Sequence, residues 1–157
     1  MDRLLKFWSL SRREKQFFFE AATLLLLSNL SVKVIAFRRI ANFLGARWKD
    51  GALGDADYID DIKLVQLSLA RAANLLPSKS LCLSRSIAQF IMLRRRGIPA
   101  VMYMGVKSSE NSLLLAHAWV LTGYDAINKK SDNSMYAPLI MIGQERVIAN
   151  SASKSFE

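Results

Sequence analysis

Residues 80–106 read SLCLSRSIAQFIMLRRRGIPAVMYMGV, and within them a helical pattern changes to a strand pattern. Ser80, a residue type that caps helix N-termini, precedes an apolar stripe at helical spacing. The stripe consists of Leu83, Ile87, Phe90 and Ile91. Three arginines at 94–96 fill the last turn, where cations suit the helix dipole, and residues 97–99, Gly-Ile-Pro, end the helix. The stretch therefore predicts a helix that leads into a strand over residues 101–106.

Helical patterns also fill the chain upstream, over residues 1–76. Ser11 and Glu14 have the spacing of a capping box, which predicts a helix behind them. A second helix is predicted over residues 32–44, with Gly45 as its left-handed cap, and a third helix ends before Pro77.

Strand patterns fill the chain downstream. Strands are predicted over residues 113–122 and 139–142, and a short one over residues 126–128 follows a tight turn at 123–125. Helices followed by a small antiparallel sheet predict the α+β class. We interpret residues 1–150 as a single domain, with a helical part (1–76), a second part (77–150) and a polar tail (151–157).

The composition excludes several classes of protein. With 157 residues and 52% apolar residues, the chain is not wholly disordered. A single cysteine excludes an internal disulfide, and one cysteine with one histidine excludes a clustered Cys/His metal site, so we predict neither metal nor cofactor. The net charge of +9 indicates acidic partners. It does not choose between a nucleic acid, a membrane surface and a peptide.

The most apolar stretch, residues 17–37, is interrupted by Glu20, Asn29 and Lys33. We therefore predict a core helix rather than a transmembrane segment, and a cytoplasmic protein. The basic residues around the stretch leave peripheral membrane attachment open. The other arginines are spread over several helices without a stacking motif, so no nucleic-acid partner is predicted. The arginines at 94–96 are more typical of a solvated helix end.

Two residues could carry chemistry. Cys82 falls at the start of its predicted helix, where unpaired amides and the helix dipole stabilise a thiolate. His117 lies in a predicted strand, where alternation places it on one face with Trp119. Taken singly, a lone cysteine is most often a small buried apolar residue, and a lone strand histidine is usually a core residue. Together they match the arrangement of papain-like and transglutaminase-like enzymes.

Four blocks resemble the leader peptidases of lasso-peptide biosynthesis, which belong to the transglutaminase-like cysteine protease superfamily. In order, the blocks are residues 82–88 (CLSRSIA), 93–100 (LRRRGIPA), 104–106 (MGV) and 116–120 (AHAWV). The resemblance extends over roughly residues 1–142, including residues 10–14 and 37–40. It implies that residues 77–150 form a transglutaminase/papain-like core, in which the nucleophile helix packs on the sheet.

The resemblance also implies roles. Cys82 matches the nucleophile, its backbone amide is a candidate oxyanion donor, and His117 matches the general acid and base. The third member is usually an aspartate after the hairpin that follows the histidine. Here the expected register falls near Asn128, which is our first choice, with Asp132 and Asp125 as alternatives. All three are equally compatible with ordinary turn residues.

The implied function is removal of the leader from a ribosomally made precursor, after which a separate ATP-dependent cyclase closes the ring. Residues 1–76 show no alternating strand pattern, so a winged-helix leader-recognition domain is not expected there, and a separate recognition protein is predicted. An acyl transferase of the same fold uses the same residues and stays open. A basic module without catalysis, binding peptide or nucleic acid, is the remaining alternative.

Overall fold

The structure, a computed structural model, describes residues 10–47, 58–75, 82–108, 114–123 and 135–143. Four helices occupy the first part of this set: α1 (Arg12–Val34), α2 (Phe37–Arg47), α3 (Ile59–Ala73) and α4 (Cys82–Arg95). Three strands follow: β1 (Ala100–Ser108), β2 (Leu114–Thr122) and β3 (Ala137–Ile142). The predicted α+β class is confirmed. The predicted strand at 126–128 and the tail at 151–157 lie outside the described residues.

The capping box at the start of α1 is confirmed. The Glu14 amide donates to Ser11 Oγ at 3.2 Å, and the Ser11 amide donates to Glu14 Oε2 at 2.9 Å. These hydrogen bonds satisfy two amides at the helix start and hold the pKa of the Glu14 carboxyl below its usual range. The pair therefore fixes where α1 begins.

The predicted helix over residues 32–44 is wrong in its bounds. α1 continues to Val34 and ends at Ile35, whose backbone is extended, and α2 begins at Phe37. Gly45 is not a cap, because α2 continues to Arg47 and the φ of Gly45 is not positive. By contrast Gly97, at φ 72°, adopts the left-handed conformation predicted for the end of α4.

The sheet has the order β2-β1-β3, and both pairs are antiparallel. In the β1–β2 pair, Ala100 lies opposite Thr122, and Gly105 lies opposite His117. The β1–β3 register shifts between Met104 and Gly105, which marks an irregularity of the β-bulge type. β2 is therefore an outer strand of the described sheet.

The main core lies between the helices and one face of the sheet. α4 packs on one side against α1 and α3, and on the other against β1 and β2. Its side chains Phe90, Met92 and Leu93 are fully buried, and each such burial stabilises the fold by about 1.5–3 kcal/mol. Ala100, Met102 and Val120 belong to the same cluster, so these alternate strand residues form the face that meets the helices.

The arginine run at the end of α4 is solvated only in part: the Arg95 side chain is 60% exposed, as predicted, whereas Arg94 is buried and the Arg96 side chain is only 20% exposed. Arg95 and Arg96 both form salt bridges with Glu20 of α1, and the Arg96 guanidinium lies 3.9 Å from the centroid of the Phe17 ring. Arg94 is buried, which lowers the pKa of its guanidinium. The run anchors the C-terminal end of α4 to α1.

Among the described helices, α1 alone is long and apolar enough to meet the criteria for a membrane span, with a mean hydropathy of 1.5 over its best window. Only 28% of that window is buried in the fold. The buried face contains Phe17, Phe18, Ala21, Leu25 and Ser28 and packs against α3 and α4. Core helices meet the same criteria, so length and composition do not by themselves indicate a membrane protein.

Candidate active site

Cys82 is the first residue of α4, and its side chain is exposed. The first four amides of a helix have no partner within it, and the Cys82 amide is one of these four. An exposed thiol argues against the commoner fate of a lone cysteine, which is burial as a small apolar residue. The predicted cap, Ser80, lies outside the described residues.

His117 lies in the outer strand β2 and is half-buried. Its ring stacks on the indole of Trp119 two residues along, with centroids 5.9 Å apart and planes 15° apart. The predicted sharing of one strand face by these two residues is therefore confirmed. Trp119 in turn stacks on Tyr103, at 5.4 Å and 10°. The imidazole is the outermost ring of this three-ring stack, and the other two rings, those of Trp119 and Tyr103, are buried.

Tyr136, which no sequence pattern singles out, covers His117 from the direction of β3. The two ring centroids are 5.0 Å apart, and the Lys107 ammonium lies 4.9 Å from the Tyr136 centroid. His117 is thus in contact with two aromatic rings, those of Trp119 and Tyr136. Such contacts restrict the orientation of the imidazole.

Gly105 makes room for this arrangement. It lies opposite His117, and a Cβ built on it would come within 2.9 Å of Trp119 Cη2 and 2.5 Å of the Ala137 carbonyl oxygen. Contacts this short are not tolerated, so the Trp119 ring and the backbone of β3 both occupy space that any side chain at 105 would need. A glycine here is a requirement of packing rather than of backbone dihedral angle.

The helix carrying Cys82 and the strand carrying His117 pack against each other. Cys82 and the strand partner of His117 also lie at similar distances from the connection between α4 and β1. Only four residues join α4 to β1, so helix and strand run back along each other. From Arg95 back to Cys82 the helix rises about 20 Å, and from Ala100 to Gly105, the partner of His117, the strand advances about 17 Å. Measured along the helix and along the strand, Cys82 and the partner of His117 are thus at similar distances from the connection between α4 and β1.

The side chains themselves are not joined. His117 shares its sheet face with Tyr103 and Trp119, whereas α4 packs on the opposite face, and the two described side chains form no hydrogen bond. Within the described sheet β2 is an outer strand, so His117 lies near the edge of that part of the sheet. Catalytic contacts are often loose in a free enzyme and tighten with substrate.

The remaining predicted site residues, Asn128, Asp132 and Asp125, lie outside the described residues, so the identity of the third member stays a prediction. Within the described ranges no group of three or more Cys, His, Asp or Glu side chains is placed to hold a metal ion. The chemistry available at the described site is that of a thiol, an imidazole and backbone amides.

Comparison with protein families gives one match, to the transglutaminase-like superfamily, over residues 24–141. The chain belongs to this superfamily. Its members are in general cysteine proteases and transferases, and the matched region includes Cys82, His117 and Tyr136. Neither a curated protein nor a solved structure matches the chain significantly.

Proposed function

We propose that this chain is a cysteine leader peptidase, which cuts a lasso-peptide precursor between its leader and its core. The observation that carries the proposal is the ordered set of sequence blocks around Cys82, Gly97, Gly105 and His117, which resembles that family. Membership of the transglutaminase-like superfamily supports the cysteine chemistry. The exposure of Cys82 at a helix start supports its role as nucleophile.

In the proposed mechanism the Cys82 thiolate attacks the carbonyl carbon of the last leader residue. The oxyanion of the tetrahedral intermediate accepts a hydrogen bond from the Cys82 amide. The C–N bond then breaks as the His117 imidazolium protonates the departing core amine. In the second half, His117 removes a proton from water, the hydroxide attacks the thioester, and the Cys82 thiolate leaves with the leader acid as product. The reaction consumes one water and needs no cofactor.

The proposal includes two further proteins. A separate recognition protein of winged-helix type binds the leader and brings the junction to Cys82, which raises its local concentration. An ATP-dependent cyclase then joins the freed core amine to an acidic side chain. The net charge of +9 favours an acidic leader or partner, and added salt should weaken the assembly.

Cleavage of the full-length precursor, followed by mass spectrometry, tests the proposal. We expect a cut at the leader–core junction that is faster with the recognition protein than without it. Cys82→Ala should abolish cleavage while its circular dichroism spectrum matches that of the wild type. Because Cys82 is the only cysteine, iodoacetamide should label the wild type once and inactivate it. Cleavage by Cys82→Ala at the wild-type rate would refute the proposal.

The histidine and the third member are tested in the same assay. His117→Ala should lose about 10²–10⁴-fold in rate, the usual contribution of general acid–base catalysis. Asn128→Ala, Asp132→Ala and Asp125→Ala should differ, and the variant with the largest loss identifies the third member. If all three cleave like the wild type while His117→Ala is inactive, the assignment of a third member here is wrong.

Acyl transfer to an amine is the second candidate, because the superfamily includes transferases. It follows the same first half and differs in what attacks the thioester. Adding a primary amine to the assay separates the two. A leader product that ends in a free acid indicates hydrolysis, whereas one whose mass includes the amine indicates transfer.

A further inference from the structure

An apolar groove lies between the C-terminal half of α1, α2 and α4, and neither Cys82 nor His117 lines it. It encloses about 410 Å³. Its floor is buried, with Ser28 and Leu44 only 4% and 1% exposed, whereas its walls stand free, with Leu27 and Phe43 54% and 64% exposed. Buried floor and exposed walls make the surface concave. We call it the α1–α2 groove.

Exposed apolar surface continues beyond the groove along α1. Leu26, Leu30 and Val34 are spaced four residues apart and are all exposed. Together with the groove walls they form a contiguous apolar surface. Single exposed leucines are common on protein surfaces, but a contiguous group of them is not. A surface of this kind marks an interaction site.

The charged residues around the groove are all basic. Residues 21–47 contain four basic residues and no acidic one. Lys33, Arg38 and Arg39 are exposed, Arg39 lines the groove, and none of the three forms a salt bridge within the described part of the chain. The acidic residues of α1, Glu14 and Glu20, lie at its other end and are paired with arginines.

We propose that the α1–α2 groove binds an amphipathic helix of a partner polypeptide, with apolar side chains on one face and acidic side chains beside it. A cleft between packed helices with free apolar walls is the shape that receives a helix. The unpaired cations at its border complement acidic flanks and attract such a segment over longer range. The proposal concerns binding alone, so it holds whether or not Cys82 cleaves a leader.

Two other occupants fit less well. A flat bilayer can touch the walls at Leu27 and Phe43 but cannot reach the floor at Ser28 and Leu44. A second copy of this chain, facing the first across the groove, would bring Lys33, Arg38 and Arg39 of both copies close together, and like charges oppose that contact.

The test uses the full chain and a fluorescein-labelled 18-residue peptide with leucines at helical spacing and glutamates on the flanks. Fluorescence anisotropy measures its affinity, with a second peptide carrying lysines in place of the glutamates. We expect the acidic peptide to bind about tenfold or more tightly than the basic one, and added salt to reduce the difference. Equal affinity for both peptides would overturn the charge argument.

Two variants locate the site, and each has a matched control. Phe43→Ser and Arg39→Glu should weaken binding of the acidic peptide about tenfold or more. Phe19→Ser, which alters a phenylalanine of α1 that is 59% exposed and does not line the groove, should bind like the wild type, as should Arg12→Glu. Circular dichroism checks that all four variants are folded. Equal effects of Phe43→Ser and Phe19→Ser would overturn the assignment to the groove.

The competing occupants give distinct results. If the chain binds phosphatidylglycerol vesicles but not the acidic peptide, and Phe43→Ser abolishes vesicle binding, the occupant of the groove is a membrane surface and not a helix. A dimer seen by analytical ultracentrifugation and lost in Phe43→Ser, again without peptide binding, would replace it by a second copy. Either result overturns the proposal.

Discussion

Replacing Gly105 by alanine tests the packing beneath His117. The added Cβ would lie 2.5 Å from the Ala137 carbonyl oxygen and 2.9 Å from Trp119 Cη2, and both distances are shorter than real Cβ contacts. One obstacle is the backbone of β3 and the other is a ring held in a stack, so neither can move freely. Such overpacking costs about 1–3 kcal/mol.

Replacing Gly105 by alanine also has a smaller, stabilising effect on the free energy of unfolding. Alanine restricts the unfolded chain more than glycine does, which stabilises a protein by about 0.4–1 kcal/mol where the native conformation allows it. The φ of Gly105 is not positive, so this gain applies. The net expectation for Gly105→Ala is a loss of about 1–2 kcal/mol in the free energy of unfolding, measured by urea denaturation with circular dichroism.

Gly45→Ala is the matched control. Gly45 lies inside α2, and a Cβ built there meets nothing within 4 Å, so this variant should gain about 0.5–1 kcal/mol. Gly105→Ala should also lower the rate of precursor cleavage, because a displaced Trp119 no longer supports the His117 ring. If Gly105→Ala is as stable as Gly45→Ala, the close approach of Trp119 and β3 at this position is refuted.

Variants at three further positions test separate features. Tyr136→Leu should lower kcat about tenfold while KM stays unchanged, because it removes a ring that orients His117, and Tyr136→Phe should restore the rate; a change in KM alone would contradict this role. Ser84→Ala should leave the free energy of unfolding unchanged or raise it by about 1 kcal/mol, because the buried Ser84 hydroxyl has no partner among the described residues; a clear loss in thermal denaturation would reveal one. The lowered pKa of Glu14 stabilises the fold above the ordinary glutamate pKa of about 4.3, and this contribution is lost as the pH falls through the lowered value. The stability difference between wild type and Glu14→Gln, measured by denaturation from pH 7 down to about pH 2, should therefore shrink in acid, and a constant difference would contradict the Ser11–Glu14 contact.

The sequence predicted the features that depend on neighbouring residues. The capping box at Ser11, the left-handed end of α4 at Gly97 and the alternation that places His117 beside Trp119 are all local, and all are confirmed. The sequence does not show the break after Val34, because Ile35 and Ala36 are not residues that favour turns. The sequence pattern favours a cap at Gly45, because a glycine near the end of an apolar pattern has the same signature inside a helix as after it.

Contacts between distant segments could not be predicted in this way. The contact of Tyr136 with His117 depends on the pairing of β3 with β1 and on the register shift at Gly105, neither of which leaves a local pattern. The salt bridge from Glu20 to Arg96 joins residues 76 positions apart. A run of three arginines reads as solvated until the helix that covers it is known.

The contacts of Phe17 and Glu20 in α1 with the arginines at the end of α4 have a consequence for any shortened form of this protein. The superfamily match begins at residue 24, yet Phe17 and Glu20, which hold the end of the Cys82 helix, come before that point. A fragment cut to the matched region would keep every candidate catalytic residue and still lose Glu20, the carboxylate that forms salt bridges with both Arg95 and Arg96. The region matched by the superfamily is therefore shorter than the set of described residues that hold α4 in place, because the contacts of Phe17 and Glu20 lie before residue 24.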